Sequence, residues 1–145
     1  MAADFSGDGA ADVLGVDSAG LLWYYPHNGS GLSAPVQIGN GWGTFKHVMA
    51  ADFSGDGAAD VLGVDAAGLL WYYPHNGSGL SAPIQIGNGW GTFKHVNAVD
   101  FSGDGYADVL GVDSTGLLWY YPHNGSGLSA PVQIGNGWGA WPFVM

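Results

Sequence analysis

Three copies of one 48-residue unit make up almost the whole chain, since residues 1–48, 49–96 and 97–144 align without a gap. The first two units differ at only two positions. Such near-identity is typical of recent duplication or of deliberate design. In repeat proteins, each unit leaves an apolar face that the next unit covers. A period of 48 residues is close to that of a four-stranded β-propeller blade. The sequence therefore predicts three blade units, 1–48, 49–96 and 97–145, in one continuous propeller segment.

Four strand signals recur in each unit, and the second copy illustrates them. Short runs rich in Val, Leu, Ile, Trp and Tyr alternate with Gly, Asn, Asp and Pro turns, and no segment has a helical period. The predicted strands are Phe45–Ala51, Asp60–Asp65, Leu69–Tyr73 and Ala82–Ile86. The chain is therefore predicted to be all-β, with blades of four antiparallel strands.

The charge balance excludes several classes of partner. The net charge is −10, and the only cationic side chains are Lys46 and Lys94. Nucleic acids and anionic membrane surfaces attract Lys and Arg clusters, so neither is an expected partner. No apolar run approaches the length of a membrane span, so membrane insertion is not expected. The opening Met1-Ala-Ala begins a repeat, and no secretory signal is visible in the chain.

An Asp-rich stretch returns in every unit, first as Asp4-Phe-Ser-Gly-Asp-Gly-Ala-Ala-Asp12. Calcium takes six to eight hard oxygen ligands, which a tight loop of Asp and Ser supplies together with a main-chain carbonyl. Neighbouring carboxylates also repel each other in the absence of a cation. A hairpin turn closed by Asp side chains is an alternative compatible with this prediction. The predicted ligands are Asp4, Ser6, Asp8, the Ala10 carbonyl and Asp12, with their copies Asp52, Ser54, Asp56, Ala58, Asp60, Asp100, Ser102, Asp104, Tyr106 and Asp108.

On the opposite rim, alternating strand direction brings Asp17, Asn40 and Trp42 toward one another between neighbouring blades. Carboxylate and amide groups bind sugar hydroxyls, and an aromatic ring packs against the apolar face of a sugar. The alternative is structural, with Asp17 starting a turn, Asn40 at positive φ and Trp42 wedged between blades. The candidate carbohydrate ligands are Asp17, Asn40, Trp42, Asp65, Asn88, Trp90, Asp113, Asn136 and Trp138.

Three blades are too few to close a ring, because propellers typically have four to eight. The segment 141–145 corresponds in sequence to the start of the strand that Met1-Ala-Ala begins, so one terminus could complete the other's innermost strand. We therefore expect a homo-oligomeric ring, a dimer with six blades in preference to a trimer with nine. The alternative is a fragment that aggregates.

Nothing in the repeats indicates an enzyme. Each unit contains Ser, His and Asp, but without a nucleophile-elbow motif or a spacing that would orient a triad. Catalytic sites are usually asymmetric, whereas identical repeated sites give avidity to multivalent binding proteins.

Two motifs resemble known families. The pattern Asp-x-Ser-x-Asp-Gly-x-x-Asp-Val-Leu, followed by Gly-x-Leu-Trp-x-Tyr, resembles the FG-GAP or VCBS repeat of extracellular proteins. This resemblance implies calcium binding at the Asp-rich hairpins and a secreted protein. The stretch Ile38-Gly-Asn-Gly-Trp-Gly-Thr-Phe-Lys46 is similar to the signature of tachylectin-like propellers, which implies binding of N-acetylated amino sugars between blades.

These observations together predict a calcium-stabilised propeller that acts as a multivalent, lectin-like carbohydrate-binding module. The alternative is a structural or adhesion module, or an engineered symmetric scaffold, with no ligand beyond calcium.

Overall fold

The computed structural model describes residues 1–142, in which twelve strands form three separate four-stranded antiparallel sheets. In each sheet the strands lie in sequence order, so every connection is a hairpin. This confirms the predicted all-β blades. The strands are β1 (Ala2–Ala3), β2 (Asp12–Val16), β3 (Leu22–Tyr25), β4 (Val36–Gly39), β5 (His47–Ala51), β6 (Asp60–Val64), β7 (Leu70–Tyr73), β8 (Ile84–Gly87), β9 (His95–Val99), β10 (Asp108–Val112), β11 (Leu118–Tyr121) and β12 (Val132–Gly135).

All four predicted strands of the unit differ from the observed ones by one or two residues at an end, and the largest differences are at the starts of the first and the fourth. The first strand begins at His47 rather than Phe45, because Trp42–Thr44 forms a single 3₁₀ turn that Phe45 terminates. The fourth strand begins at Ile84, directly after Pro83, because proline has no N–H to pair with a neighbouring strand. Within the described residues, no helix is long and apolar enough to span a membrane.

The blades contact one another through their inner strands β1, β5 and β9 and through the cores between adjacent sheets. The inner strands border a central cavity of about 350 Å³. Val61 of blade 2 and Val109 of blade 3 are fully buried against the preceding blade. Burial of apolar area between sheets therefore holds the three blades together.

At each of the two internal junctions, an aromatic ring docks onto a glycine of the following blade. The Phe45 ring covers Gly63, where a Cβ atom would lie 2.5 Å from the ring, and Phe93 covers Gly111 in the same way. Any side chain at these glycines would displace the ring. The equivalent Gly15 in blade 1 has no neighbour within 4 Å among the described residues.

The two outer faces of the segment are open. Phe101 of blade 3 is 52% exposed, although its counterparts Phe5 and Phe53 are 1% and 2% exposed. Val13 of blade 1 is likewise exposed, whereas its counterpart Val61 is fully buried. The predicted joining of the two termini in one strand involves residues 143–145, which lie outside the described part of the chain.

A buried aspartate ties together the loops of each blade. The Asp60 carboxylate is 1% exposed and accepts hydrogen bonds from the backbone N–H groups of Phe53 (2.9 Å), Ser54 (2.9 Å) and His75 (2.8 Å). Burial raises the pKa of Asp60, and these three hydrogen bonds oppose that rise. Asp12 and Asp108 make the same three bonds in their own blades. The last carboxylate of the Asp-rich motif is therefore part of the fold.

We expect Asp60→Ala to lower the free energy of unfolding by about 3 kcal/mol, because it leaves buried backbone N–H groups without an acceptor. Urea denaturation in the presence of a chelator measures this effect separately from any metal. The control is Asp56→Ala in the same loop, whose exposed carboxylate accepts only from the Ala58 N–H, and which should cost less than about 1 kcal/mol. Equal effects of the two variants would contradict the structural role of Asp60.

Candidate binding grooves between the blades

A groove of about 210 Å³ lies at the junction of blades 1 and 2. One wall comes from the end of β4, the following 3₁₀ turn and Phe45, and the other from the end of β7 and the start of the segment that leads to β8. We call it the Asn-Trp groove, and its lining residues are Ile38, Gly39, Asn40, Gly41, Trp42, Phe45, Tyr73, Leu80 and Ser81.

The indole of Trp42 forms the wall between the two blades. Gly41 adopts a left-handed conformation (φ 75°) that starts the 3₁₀ turn, and the Trp42 N–H donates to the Gly20 carbonyl at 2.9 Å. The ring packs against Phe45 and Tyr73, with centroids 4.7 and 4.6 Å away, and is only 4% exposed. Trp42 therefore shapes the groove as a wedge between blades, the structural role considered above, and presents little surface to a ligand.

Polar groups reach the groove from both blades. Asn40 is exposed beside the turn, and Ser81 lies opposite, positioned by its N–H bond to the Pro74 carbonyl at 2.7 Å. Leu80 is placed by an isolated bridge to His75. Burial raises the pKa of Tyr73, and the negative charge of Asp65 adds to the rise. The groove therefore combines an amide, a hydroxyl and aromatic surface, and the Tyr73 phenol stays protonated at neutral pH.

Asp17 does not line this groove, contrary to the prediction that it contacts the ligand together with Asn40 and Trp42. Its Oδ1 accepts from the N–H groups of Ala19 and Leu21, and its Oδ2 accepts from the Trp23 indole at 2.8 Å. The indole hydrogen bond is the main reason that the pKa of Asp17 lies below its ordinary value. The carboxylate is thus used to close the turn between β2 and β3.

The copies of Asp17 behave in the same way. Asp65 accepts from the Trp71 indole, which lowers its pKa. Asp113 accepts from the Thr115 hydroxyl at 2.7 Å and from the Trp119 indole, and these bonds lower its pKa to about 2. All three carboxylates are therefore ionised at neutral pH and hold their turns.

Blades 2 and 3 repeat the arrangement of the groove wall. Trp90 is buried against Phe93 and Tyr121, with centroids 4.8 and 4.5 Å away, and Asn88 precedes it as Asn40 precedes Trp42. In blade 3, Asn136 and Trp138 occupy the same positions, but Trp138 is only half-buried. The described residues thus contain two complete junctions and two half-junctions, one on blade 3 and one on blade 1.

The groove residues contributed by the following blade were not predicted from the sequence. Tyr73, Leu80 and Ser81 lie more than thirty residues from Asn40 in the chain, although they are adjacent in space. The order of the repeats does contain a signal for these residues. Because blades follow one another along the chain, side chains at and after the end of the third strand of one blade lie beside the preceding blade.

A second groove of about 210 Å³ lies at the junction of blades 2 and 3, beside the Asp-rich loop of blade 2. Phe53 contacts the His123 ring edge-on at 4.4 Å. Burial, together with the negative charge of Asp60, raises the pKa of Tyr72 to about 12. The residues that line this second groove are Phe53, Ser54, Tyr72, His123, Gly125 and Ser126.

The Asp-rich loops satisfy their carboxylates internally. Asp4 Oδ1 accepts from the N–H groups of Gly7 (2.7 Å) and Asp8 (3.0 Å), and its Oδ2 accepts from Gly9 (2.8 Å). Gly7 and Gly9 have φ values of 78° and 91°, which a side chain would strain. The predicted hairpin turn closed by Asp side chains is therefore present.

The oxygens of the loop are chemically suited to calcium, but their orientation does not form a ready-made cation site. Within residues 1–142, no three His or Asp side chains converge on a position where they could hold a metal ion. Asp12 in particular directs both carboxylate oxygens at backbone N–H groups. Calcium binding through these loops stays a prediction from the sequence.

Comparison with known proteins defines the family. No curated protein matches the chain. The fold is similar to that of a lectin chain from Agrocybe aegerita, described as recognising non-reducing terminal N-acetylglucosamine, with a TM-score of 0.72 and 23% identity. The match covers 95% of this chain and 38% of that chain, so this chain spans well under half of the lectin's length. At this identity the likeness shows a shared propeller fold.

The sequence match is independent of this fold comparison. Residues 4–63 and 52–111 each match the FG-GAP-like repeat, and the two matches together span most of the chain. Each match runs from one Asp-rich loop to the strand that follows the next loop. The chain belongs to the FG-GAP-like repeat family.

Proposed function

We propose that this propeller segment binds carbohydrate in its Asn-Trp grooves. The observation that supports this function is the groove itself, which Asn40 lines from one blade and Ser81 from the next, with Tyr73 as its partly exposed aromatic surface. Amide and hydroxyl groups bind sugar hydroxyls, and aromatic surface contacts the apolar face of the ring. At about 210 Å³ the groove suits one sugar ring better than an extended chain.

The ligand class that we propose is an N-acetylated amino sugar. The Ile-Gly-x-Gly-Trp motif that builds the groove is similar to that of tachylectin-like propellers. The Agrocybe aegerita lectin with the related fold is described as recognising terminal N-acetylglucosamine. An N-acetyl group adds one amide donor, one acceptor and a methyl group, which an asparagine and an apolar wall such as Leu80 would accommodate.

Repetition of the groove suits binding rather than catalysis. The walls at the first two junctions are built from nearly identical residues, so each junction offers the same weak site. Several weak sites on one rigid body strengthen attachment to a surface that carries many copies of a sugar. We therefore propose a non-enzymatic, multivalent module that is secreted, as its resemblance to the repeats of extracellular proteins implies.

We also propose that copies of the chain associate to close the ring, two chains giving six blades in preference to three giving nine. The open faces of blades 1 and 3, with exposed Val13 and Phe101, support this proposal. Exposed apolar sheet faces of this kind favour association.

Replacing the groove asparagines tests the carbohydrate site. We expect Asn40→Ala/Asn88→Ala to weaken N-acetylglucosamine binding at the two internal grooves about tenfold, because each of them loses a hydrogen bond worth about 1 kcal/mol or slightly more. Isothermal titration calorimetry with N-acetylglucosamine, and with glucose as the analogue lacking the N-acetyl group, provides the measurement.

The control for this variant is Gln37→Ala/Gln85→Ala, which truncates exposed side chains on the neighbouring outer strand and outside the groove. This control should bind the sugar as the unmodified chain does. If the unmodified chain binds no N-acetylated sugar, the proposal fails, and a structural or adhesion role becomes the better account.

Calcium removal tests the prediction for the Asp-rich loops. Extracellular calcium sites have dissociation constants of up to about 1 mM. We therefore expect calcium at about 1 mM to raise the melting temperature relative to a chelated sample, because the cation offsets the repulsion between loop carboxylates. Asp8→Asn/Asp56→Asn/Asp104→Asn should reduce this rise while leaving the buried aspartates in place. A melting temperature that is the same with calcium and with chelator would overturn calcium stabilisation.

A further inference from the structure

We infer that a second copy of this chain completes a third Asn-Trp groove, with one wall from blade 3 of one protomer and the other from blade 1 of its partner. This inference rests on the proposed carbohydrate function and on the association proposed above, and it specifies the site that association creates. The residues on blade 3 are Asn136 and Trp138, and those on blade 1 are Tyr25, Leu32 and Ser33.

The wall on blade 3 is already built. The Trp138 N–H donates to the Gly116 carbonyl at 3.0 Å, as Trp42 and Trp90 donate to the equivalent glycines. Its indole stacks on Trp141 at 5.0 Å, where Trp42 packs on Phe45 at 4.7 Å. The turn that presents Asn136 therefore forms without a neighbouring blade.

The wall on blade 1 is equally preformed. The Ser33 N–H donates to the Pro26 carbonyl at 2.7 Å, the same distance as between Ser81 and Pro74 in the complete groove. Leu32 is 47% exposed, whereas its counterpart Leu80 packs into the core between blades 1 and 2. Blade 1 thus carries the half of a groove that blade 3 lacks.

Docking of these two faces would repeat contacts already present inside the chain. Gly15 has open space where Gly63 and Gly111 each hold a phenylalanine ring, and Trp141, at the Phe45 position, is 55% exposed. Phe101 is exposed at the position where Phe53 meets a histidine of the following blade. In the docked pair, the partner's Gly15 would receive Trp141, and the partner's His27 would meet Phe101.

One substitution distinguishes this junction from the internal ones. Lys46 and Lys94 each donate their backbone N–H to the following blade and their ammonium group to a glycine carbonyl. Pro142 occupies the same position and can make neither bond. The junction between copies therefore lacks both of these bonds and relies on apolar contacts, so it should be weaker than the internal junctions.

A second copy is the occupant because the two open faces differ and are complementary to each other. Blade 3 presents the projecting rings of Phe101 and Trp141, and blade 1 presents the receiving surface around Gly15 and Val13. Such a head-to-tail contact continues the internal repeat from one chain to the next and closes when the rotation per blade completes a ring.

The number of sugar sites per chain tests the inference. Equilibrium dialysis at saturating N-acetylglucosamine should give three sites per chain in the associated protein, whose oligomeric state is measured in parallel by light scattering. Ser33→Trp fills only the half-groove on blade 1 and should reduce the count to two without dissociating the oligomer. The matched control Ser81→Trp fills the internal groove and should also reduce it to two, and the double variant should bind one sugar.

A second variant blocks docking rather than the groove. Gly15→Val adds a side chain where the isolated chain has open space, so the chain should fold, become monomeric and bind two sugars. The matched Gly63→Val displaces the Phe45 ring and should instead lower the melting temperature.

The outcomes separate the two proposals. If the unmodified chain binds two sugars, and neither Ser33→Trp nor Gly15→Val changes that number, the composite groove is overturned and the carbohydrate function stands. No sugar at any groove would overturn the carbohydrate function, and the composite site with it. Three sites that fall to two in both variants would support both.

Discussion

The contact between an aromatic ring and a glycine at each blade junction determines most of this structure. Phe45 lies directly on Gly63, and the space it occupies is available only because the β6 residue there has no side chain. This close approach lets Trp42 and Tyr73 pack against each other and buries Val61 completely. Phe45 thus contributes both to the groove and to the core between the first two blades.

The Asp-rich motif has a structural function that is independent of metal. Its last carboxylate is buried and accepts three backbone N–H groups, including one from the His27, His75 or His123 loop of the same blade. Buried polar groups are costly unless they are hydrogen-bonded, so this aspartate and its donors require one another. The first carboxylate closes the loop in a similar manner at the surface. The acidic residues of such a loop therefore organise the turn itself.

A site built between repeats differs from a site built within one. Asn40 and Ser81 belong to different units, so the number of complete grooves depends on how many blades are neighbours. A chain of three blades contains two complete junctions and two half-junctions. In the ring that we propose, function and assembly are therefore coupled, because the surfaces that would bring copies together would also complete a groove.

Repetition, turn residues and the alternation of apolar residues were enough to predict the all-β class, the four-stranded units and the hairpin at Asp52–Asp60. These features are local, because strand period and turn chemistry involve residues close in sequence. The fourth strand was predicted to start two residues too early, because the effect of Pro83 on strand pairing appears only when a neighbouring strand is present.

Tertiary structure decided which polar groups share a groove. The Asp65 carboxylate accepts a hydrogen bond from Trp71 in its own blade. Asn40 shares the groove with Ser81 of the next unit, because the packing of Phe45 on Gly63 brings together two surfaces that are distant in the chain.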